Sequence, residues 1–444
     1  MSRHQQFDFK TKNDLLEKTE NLGVMVPYSD SLSNLFNPIT IGLRNVPNRL
    51  AVQPMEGFDA DPDGSPSTLT LRRYTRYAEG GSGLIWFEAT GVIPEGRSNP
   101  YQLMISSRNL SRFENLVMQT RKAAYRVYGN AQELFTVLQL THSGRYSKPE
   151  GKSKPVIAVS NPFLEGKDDQ VHIIKDDELD RLQDHYVKAA RLAREAGFDA
   201  VDIKSCHGYL INELLAAYAR EKSRYGGTFS NRISFLLEVI QKIHDRVPGL
   251  DLAVRLNAYD GIHYPYGFGV SKDGSLEIDL KEPKKLIQSL GNAGCSLINI
   301  TAGNPYYNAY ISRPFDQPVL GTLVPDEHPL EGIARLIKLC GELQKDFPYI
   351  PFVGTGFSWL RSFFPHVGAA AINRGKASII GLGRSSLAYP DAPRDLMKNR
   401  KLDSKKVCIA CSKCSELRRA GCVVGCVTRD STIYGKEYKK IVHK

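Results

Sequence analysis

The chain has 444 residues, of which 41% are hydrophobic, 9% aromatic and 24% charged. This composition is that of an ordinary globular protein, which excludes a disordered or collagen-like chain. No apolar run approaches the roughly 18 residues of a membrane span, and the first residues lack the apolar core of a secretory signal, so we expect a cytoplasmic protein.

The net charge of +11 is concentrated at one end of the sequence. Residues 401–444 hold eleven Lys and Arg against four Asp and Glu, which accounts for +7 of it. Five of the eight cysteines lie in the same tail. Because the rest of the chain is close to neutral for its size, the basic charge gives no reason to expect a nucleic-acid partner.

Residues 1–36 are polar and lack a long periodic pattern, so we interpret them as an N-terminal extension that wraps or caps a larger unit. From residue 37 to about 400, a unit of helix, glycine and short apolar strand repeats. In the clearest copy, Asp176 begins a helix with one apolar face, Gly197 ends it, and a short apolar strand reaches Ile203. This pattern is typical of βα-units and predicts a parallel sheet.

Eight short apolar runs bounded by turn signals predict eight strands. They span residues 50–55, 84–90, 134–140, 200–205, 252–257, 297–301, 351–354 and 378–382. Eight strands separated by mostly helical stretches predict a (β/α)8 TIM barrel, for which a doubly wound sheet is the competing architecture.

The active site of such a barrel lies at the carboxyl ends of its strands. The predicted ends carry an unusual set of polar residues, among them Gln139, Lys204, His207 and Arg255. Their side chains are therefore expected to meet at one end of the barrel.

Two glycine-rich loops follow the seventh and eighth predicted strands, Gly354-Thr-Gly356 and Gly381-Leu-Gly383, and Arg384 comes directly after the second. Neither loop completes the G-x-G-x-x-G fingerprint of a dinucleotide fold. Backbone N–H groups of such loops hold phosphate in many barrels, so we expect an anionic cofactor or substrate here. Tight turns alone would also account for these glycines.

The sequence resembles the old yellow enzyme family of flavin oxidoreductases, in particular its iron–sulfur branch, which includes 2,4-dienoyl-CoA reductase and trimethylamine dehydrogenase. Seven segments in the family's order carry the resemblance: Asn37-Pro-Ile-Thr-Ile-Gly42, Pro54-Met55, Phe87-Glu-Ala-Thr90 with Pro94-Glu-Gly-Arg97, Gln139-Leu-x-His142-x-Gly-Arg145, His207-Gly-Tyr-Leu210, Tyr225-Gly-Gly227 with Asn231-Arg232, and Val254-Arg-Leu256.

The resemblance implies an FMN cofactor and assigns residues to its parts. Backbone groups of Pro54, Met55 and Ala89 would line the flavin, and Gln139 would hydrogen-bond its pyrimidine edge. Arg255 would place positive charge near N1 and the C2 carbonyl, which favours the reduced anionic flavin. The residues implied for the 5′-phosphate are Gly354, Gly356, Gly383 and Arg384.

The resemblance also implies the catalytic residues at the end of the fourth strand. Relatives use a His-His or His-Asn pair three residues apart to bind the substrate's carbonyl oxygen, and here Lys204 replaces the first member while His207 is the second. Lys204 could polarise a carbonyl or carboxylate, or it could pair with an acid such as Glu56. Tyr209 would protonate the alkene carbon opposite the hydride, although it could also simply fill the barrel mouth.

The tail contains Cys408-x2-Cys411-x2-Cys414, and eleven residues separate Cys414 from Cys426. Three closely spaced cysteines plus a distant fourth favour a [4Fe–4S] cluster over zinc, which more often uses two separated pairs. The resemblance implies Cys426 as the fourth ligand, with Cys422 as its substitute. A reducing cytosol disfavours the alternative of disulfides.

These assignments predict an FMN- and [4Fe–4S]-dependent ene-reductase that reduces an activated C=C bond of a small-molecule substrate. The alternative is an amine dehydrogenase or demethylase, for which Tyr306, Tyr307 and Tyr310 would form an aromatic cage around a cation. An RNA-modifying flavin barrel and a pure electron carrier are less favoured alternatives.

Relatives in the iron–sulfur branch continue past the cluster into an FAD and NAD(P)H module, whereas no dinucleotide fingerprint follows the cysteines here. We therefore expect electrons to come from a separate redox partner protein or directly from NAD(P)H. The basic side chains that would suit an acidic partner surface are Lys405, Lys406, Arg418, Arg419 and Lys436. Homo-oligomerisation is left open.

Overall fold

The computed structural model describes residues 3–130, 133–166, 170–322 and 324–442, and its centre is a closed barrel of eight strands. The strands of the described chain are β1 Ile39–Ile41, β2 Arg44–Val46, β3 Leu50–Val52, β4 Leu84–Gly91, β5 Phe135–Thr141, β6 Val156–Ile157, β7 His172–Ile173, β8 Ala200–Ile203, β9 Asp251–Asn257, β10 Cys295–Thr301, β11 Phe352–Gly354 and β12 Ile379–Leu382. The barrel order is β3-β4-β5-β8-β9-β10-β11-β12, and β12 closes it on β3.

Every neighbouring pair in the barrel is parallel, which confirms the predicted (β/α)8 architecture. All eight predicted strands are present, with different bounds. The first prediction ran to Met55, but β3 ends at Val52. Pro54 follows two residues after Val52, and a residue without an N–H cannot continue a ladder.

The helices are α1 Lys12–Asn21, α2 Thr68–Glu79, α3 Leu110–Tyr128, α4 Asp176–Glu195, α5 Leu210–Leu215, α6 Phe229–Arg246, α7 Lys281–Asn292, α8 Ala309–Ser312, α9 Pro329–Asp346, α10 Phe364–Asn373, α11 Arg384–Ala388, α12 Ala392–Asn399, α13 Lys413–Arg419 and α14 Ser431–Val442. Short 3-10 turns lie at Ser33–Phe36, Pro94–Gly96, Gly144–Tyr146 and Phe357–Phe363. No helix in these described ranges is long and apolar enough to cross a membrane.

The amino end of the barrel is closed by the antiparallel hairpin of β1 and β2. Ile41 and Val46 of the hairpin pack against barrel residues that include Trp86. Arg44 bonds Asp199 at 3.0 Å and approaches Asp251 at 3.7 Å, at the amino ends of β8 and β9. The hairpin thus fills the amino end of the barrel, opposite the carboxyl ends of its strands.

Residues 3–36 run along the outside of the barrel and include α1. The ring of Phe7 meets that of Trp359 edge-on at 5.2 Å, and Tyr28 stacks on His366 at 4.8 Å. Asn34 donates a hydrogen bond to the carbonyl of Ala369. The segment thus packs against the chain that follows β11.

The cysteine-rich segment, residues 401–442 of the described chain, packs against the loop after β3. Leu417, Val424 and Tyr434 form a small apolar cluster with Phe58 of that loop. Asp430 accepts hydrogen bonds from two arginines of α2, at 2.6 and 2.7 Å. These contacts hold the segment beside the carboxyl end of the barrel.

Candidate active site

A cavity of about 490 Å³ lies at the carboxyl end of the barrel. It is lined by the ends of several strands and by the cysteine-rich segment. The predicted site residues that line it are Pro54, Met55, Gln139, Lys204, His207, Tyr209, Arg255, Gly356, Gly383, Arg384 and Cys414. Ala89 and Gly354 do not: the carbonyl of Ala89 accepts a hydrogen bond from Gln102, and Gly354 lies within β11.

Asp202 organises the barrel side of the cavity. This fully buried carboxylate accepts hydrogen bonds from Trp86 Nε1 at 2.8 Å, Gln139 Nε2 at 2.6 Å and the Arg255 backbone N–H at 2.6 Å. Burial raises the pKa of Asp202 to about 6 against the effect of these donors. Since the amide nitrogen of Gln139 is bound here, its amide oxygen is the group left for a ligand.

The Arg255 guanidinium borders the cavity and forms no salt bridge among the described residues, although the nearby Asp202 carboxylate attracts it. Its buried Nε has no hydrogen-bond partner in the same part of the chain. Burial lowers the pKa of Arg255 from its usual value. A buried donor without a partner is costly, so this group fits a ligand that presents an acceptor or a negative charge.

Arg313 and Arg384 form a second group of cations without carboxylate partners within the described ranges. Arg384 donates to the carbonyl of Pro314 at 2.5 Å, and Arg313 donates to Ser415. Burial and the charge of Arg384 lower the pKa of Arg313 to about 10. Two adjacent guanidinium groups next to Gly383 fit a phosphate. The sequence did not indicate Arg313 as a site residue, because a long loop separates it from the end of β10 at Thr301.

Glu56 is the centre of the most connected polar group in the cavity, with a side chain only 4% exposed. Its Oε1 accepts from the Tyr209 hydroxyl at 3.1 Å and lies 3.4 Å from Lys204 Nζ. Its Oε2 accepts from Arg418 Nη2 at 2.6 Å and Nε at 3.1 Å. Burial alone would raise the pKa of Glu56, but Arg418 and Lys204 hold it at about 2.

Lys204 is therefore paired with Glu56, one of the two arrangements that the sequence left open. Its ammonium also lies 3.3 Å from the centre of the Tyr209 ring, a cation–π geometry. Burial lowers the pKa of Lys204 from its usual value. Its charge faces the carboxylate and the ring face at once.

His207 turns the chain at the end of β8, with a left-handed φ of 65°. Its Nε2 lies 3.2 Å from the Thr301 hydroxyl at the end of β10. Burial, with the charges of Arg255 and Lys204, holds the pKa of His207 well below its usual value. The imidazole is thus neutral at pH 7 and can donate one N–H.

Arg418, which the sequence predicts on a docking surface, bonds residues that line the cavity. Its Nη2 donates to Tyr209 Oη at 2.8 Å and to Tyr306 Oη at 2.7 Å, besides its two bonds to Glu56. The only sequence signal was indirect: Arg418 follows Cys414 by four residues, which places both on one face of a helix. Sequence reasoning therefore missed a residue of the cavity.

The prediction that Tyr306, Tyr307 and Tyr310 together form an aromatic cage is wrong. Tyr306 lines the cavity and stacks on Tyr146, with ring centres 3.6 Å apart and planes 20° apart. Tyr307 and Tyr310 do not line it, since Tyr307 meets Phe163 edge-on at 6.4 Å and Tyr310 packs against the core. The tyrosines that line the cavity are Tyr146, Tyr209 and Tyr306, and Phe58 and Phe315 line it as well.

The four predicted metal-ligating cysteines, Cys408, Cys411, Cys414 and Cys426, surround a second, smaller cavity together with Arg384. Cys422 does not line it. All five of these cysteines are free thiols, and burial raises the pKa of Cys408 to about 12 and that of Cys426 to about 11. No three His, Cys, Asp or Glu in the described ranges are close enough together to hold one metal ion.

Residues 34–268, just over half of the chain, match the profile of the NADH:flavin oxidoreductase / NADH oxidase family. The chain is 29% identical over 402 residues to an NADH oxidase from Thermoanaerobacter brockii, covering 88% of this chain and 54% of that protein. It is 34% identical over 232 residues to an NADPH dehydrogenase from Bacillus pumilus, covering 51% and 64%. The chain thus spans only about half to two thirds of the length of these relatives.

Solved structures with the same fold include an old yellow enzyme homologue from Zymomonas mobilis, with a TM-score of 0.62 and 25% identity over 84% of this chain and 94% of that one. A 2-naphthoyl-CoA reductase complex superposes with a TM-score of 0.73 and 19% identity, covering 92% and 58%. Histamine dehydrogenase from Rhizobium sp. 4-9 superposes with a TM-score of 0.67 and 21% identity, covering 89% of this chain and 52% of that one. Barrel and family profile together confirm the resemblance to old yellow enzymes: the chain belongs to the NADH:flavin oxidoreductase / NADH oxidase family of flavin-dependent oxidoreductases.

Proposed function

We propose that this protein is an FMN-dependent ene-reductase that reduces an activated C=C bond, with electrons supplied by NAD(P)H. One observation carries the proposal: Tyr209 and His207 share a single cavity with Gln139 and Arg255. A proton donor and a donor for a carbonyl oxygen therefore lie beside two groups suited to a flavin.

The cavity fits FMN at both ends of that molecule. Arg255 and the amide oxygen of Gln139 suit the acceptors and donors of a flavin pyrimidine ring, and no described residue accepts from the Nε of Arg255. Arg313 and Arg384 suit the phosphate. When bound and reduced, FMN supplies the hydride that this chemistry needs.

The chain's own residues would then bind, orient and protonate the substrate. The neutral His207 donates its N–H to the oxygen that activates the alkene. Tyr209 gives its proton to the α-carbon: its O–H bond breaks, a C–H bond forms, and the tyrosinate that remains regains a proton from water. With one hydride supplied by the bound cofactor, this one proton would saturate the double bond.

The charge of the cavity supports a reductase over the alternative amine dehydrogenase. Among the described residues that line it, seven are cationic and only Glu56 is a carboxylate; the cations are Lys148, Lys204, Arg255, Arg313, Arg384, Arg418 and Arg419. A cationic amine would be repelled from such a site. The tyrosine wall would favour an amine, but the ammonium of Lys204 already covers one face of Tyr209.

The second cavity supports a [4Fe–4S] cluster as part of the proposal. In a cubane each thiolate binds a different iron, so its four sulfurs stand farther apart than the four ligands of one zinc ion. Four cysteines around one cavity without a single-ion arrangement fit that wider spacing. A reducing cytoplasm would keep these thiols available.

A separate redox partner remains part of the proposal, with a smaller docking surface than the sequence predicts. Arg418 is committed to Glu56, and Lys406 approaches Asp395 at 3.6 Å. The exposed side chains left for an acidic partner are Lys405, Arg419 and Lys436.

The test is an anaerobic titration of the purified holoprotein. NADPH should reduce the flavin, and 2-cyclohexenone or cinnamate should then reoxidise it, while trimethylamine and histamine should leave the oxidised flavin unchanged. Flavin reduced by an amine would overturn the assignment. Iron and sulfide content tests the cluster independently: Cys426→Ser should lose both and Cys422→Ser should keep them, whereas zinc without sulfide would exclude a cluster.

A further inference from the structure

The cysteine-rich segment contributes a side chain to the barrel cavity. Helix α13 carries Cys414 in its first turn and Arg418 one turn later. Cys414 lines both cavities, whereas Arg418 lines only the larger one. One helical turn therefore separates the cysteine site from Arg418, which donates a hydrogen bond to the proposed proton donor, Tyr209.

Three groups surround the Tyr209 oxygen. Arg418 Nη2 donates to it at 2.8 Å, Glu56 accepts from it at 3.1 Å, and the Tyr306 hydroxyl lies 3.2 Å away. Arg418 is the only cation within the described ranges that hydrogen-bonds this oxygen. Lys204, the other nearby cation, meets the face of the ring instead.

A phenol in this environment is a poor acid without assistance. Burial and the nearby Glu56 carboxylate raise the pKa of Tyr209 well above its usual value. Giving up its proton leaves a negative charge in a buried site, which a charge-assisted hydrogen bond from a guanidinium would compensate.

We propose that Arg418 is a positioning residue for Tyr209, which holds the phenol in place and stabilises the tyrosinate left after proton transfer. The inference rests on the proposed ene-reductase function. Glu56 has the complementary task, because its Oε2 accepts from both Nε and Nη2 of Arg418 and so fixes the guanidinium before substrate arrives. The cysteine-rich segment thereby takes part in proton delivery as well as in any electron transfer.

The experiment measures the two half-reactions separately by stopped flow on the holoprotein. Arg418→Met should slow flavin reoxidation by 2-cyclohexenone or cinnamate by about 100-fold, the lower range for a positioned acid, and should leave flavin reduction by NADPH unchanged. Proton transfer then limits the rate, so the solvent deuterium isotope effect on reoxidation should rise. Arg418→Lys should recover part of the rate, because it restores a cation.

Tyr209→Phe provides the decisive background. There the added Arg418→Met should change reoxidation by less than about twofold, because the two residues act as a unit. Lys439→Met removes the same charge from an exposed position of the same segment and should change neither half-reaction. Should Arg418→Met lose flavin, Arg418→Gln is measured in its place, since it keeps a hydrogen-bond donor without the charge.

Two results would overturn the inference alone: an equal loss in both half-reactions, or the same loss in the Tyr209→Phe background. Wild-type protein that NADPH reduces but no alkene reoxidises would instead overturn the proposed function, and the inference with it. A selective loss in reoxidation with a raised isotope effect supports both.

Discussion

The two ends of the cavity carry similar positive charge but differ in how that charge is balanced. At one end, Lys204 and Arg418 share the carboxylate of Glu56. At the other, Arg255, Arg313 and Arg384 have no carboxylate partner within the described chain. The balanced end is organised before any ligand binds, whereas the unbalanced end gains most of its stabilisation from an anionic ligand. Substitutions at the balanced end should therefore impair catalysis without weakening cofactor binding, and substitutions at the unbalanced end should weaken cofactor binding.

The largest effect should come from Tyr209→Phe at the balanced end. We expect flavin reoxidation by an alkene to slow by about 10³-fold, within the range of a lost general acid. Flavin reduction by NADPH should not change, because no proton passes from the phenol in that step. Stopped-flow absorbance follows both reactions, and Tyr349→Phe, at a side chain 96% exposed, is the control. If Tyr209→Phe slowed flavin reduction and flavin reoxidation equally, the two ends of the cavity would not have separate roles.

Glu56→Gln should destabilise the protein by about 3 kcal/mol at pH 7, because it leaves the buried Lys204 and the half-buried Arg418 without their partner. The pKa of Glu56 is held at about 2, below its usual 4.5, so this stabilisation is fully present above about pH 4.5 and is lost as the pH falls through 2. Urea unfolding of wild type and variant across this range should show the difference shrinking. Glu221→Gln, at an exposed position, should show no such trend.

Arg384→Met should weaken FMN binding by about 30-fold, since a hydrogen bond to a charged group contributes about 2 kcal/mol. Riboflavin, which lacks the phosphate, should bind wild type and variant equally. Fluorescence titration of the apoprotein measures both affinities. An equal loss for riboflavin would mean that Arg384 does not act at the phosphate.

The smallest effect should come from Tyr306→Phe, which removes one neutral hydroxyl from the balanced end. Its ring is 40% exposed, and the lost hydrogen bonds contribute about 1 kcal/mol or less. Reoxidation by an alkene should slow by less than about fivefold under the same principle. A loss as large as that of Arg418→Met would make Tyr306 a third member of the central group.

The barrel could be predicted because each strand is a local apolar run with its own turn signals. Residues at the strand ends, such as Gln139 and Arg255, could be assigned to one cavity because parallel strands end together. Contacts made by the loops and by the cysteine-rich segment could not be predicted from the sequence. Glu56 and Arg418 are 362 positions apart, and a pattern of local hydrophobic periodicity cannot predict a contact between residues so distant in sequence. Tyr310 shows the opposite error, because it sits near Tyr306 in sequence but packs into the core.

Asp202 has a consequence for how this scaffold can diversify. A single carboxylate joins side chains or backbone of β4, β5 and β9 from inside the barrel, away from every loop. The orientation of Gln139 and the position of Arg255 are thus fixed independently of the segments that contact a substrate. Exchange of the loop after β10, or of the cysteine-rich segment, can therefore change substrate preference without rebuilding the cofactor site, which makes those segments the first choice for engineering new specificity.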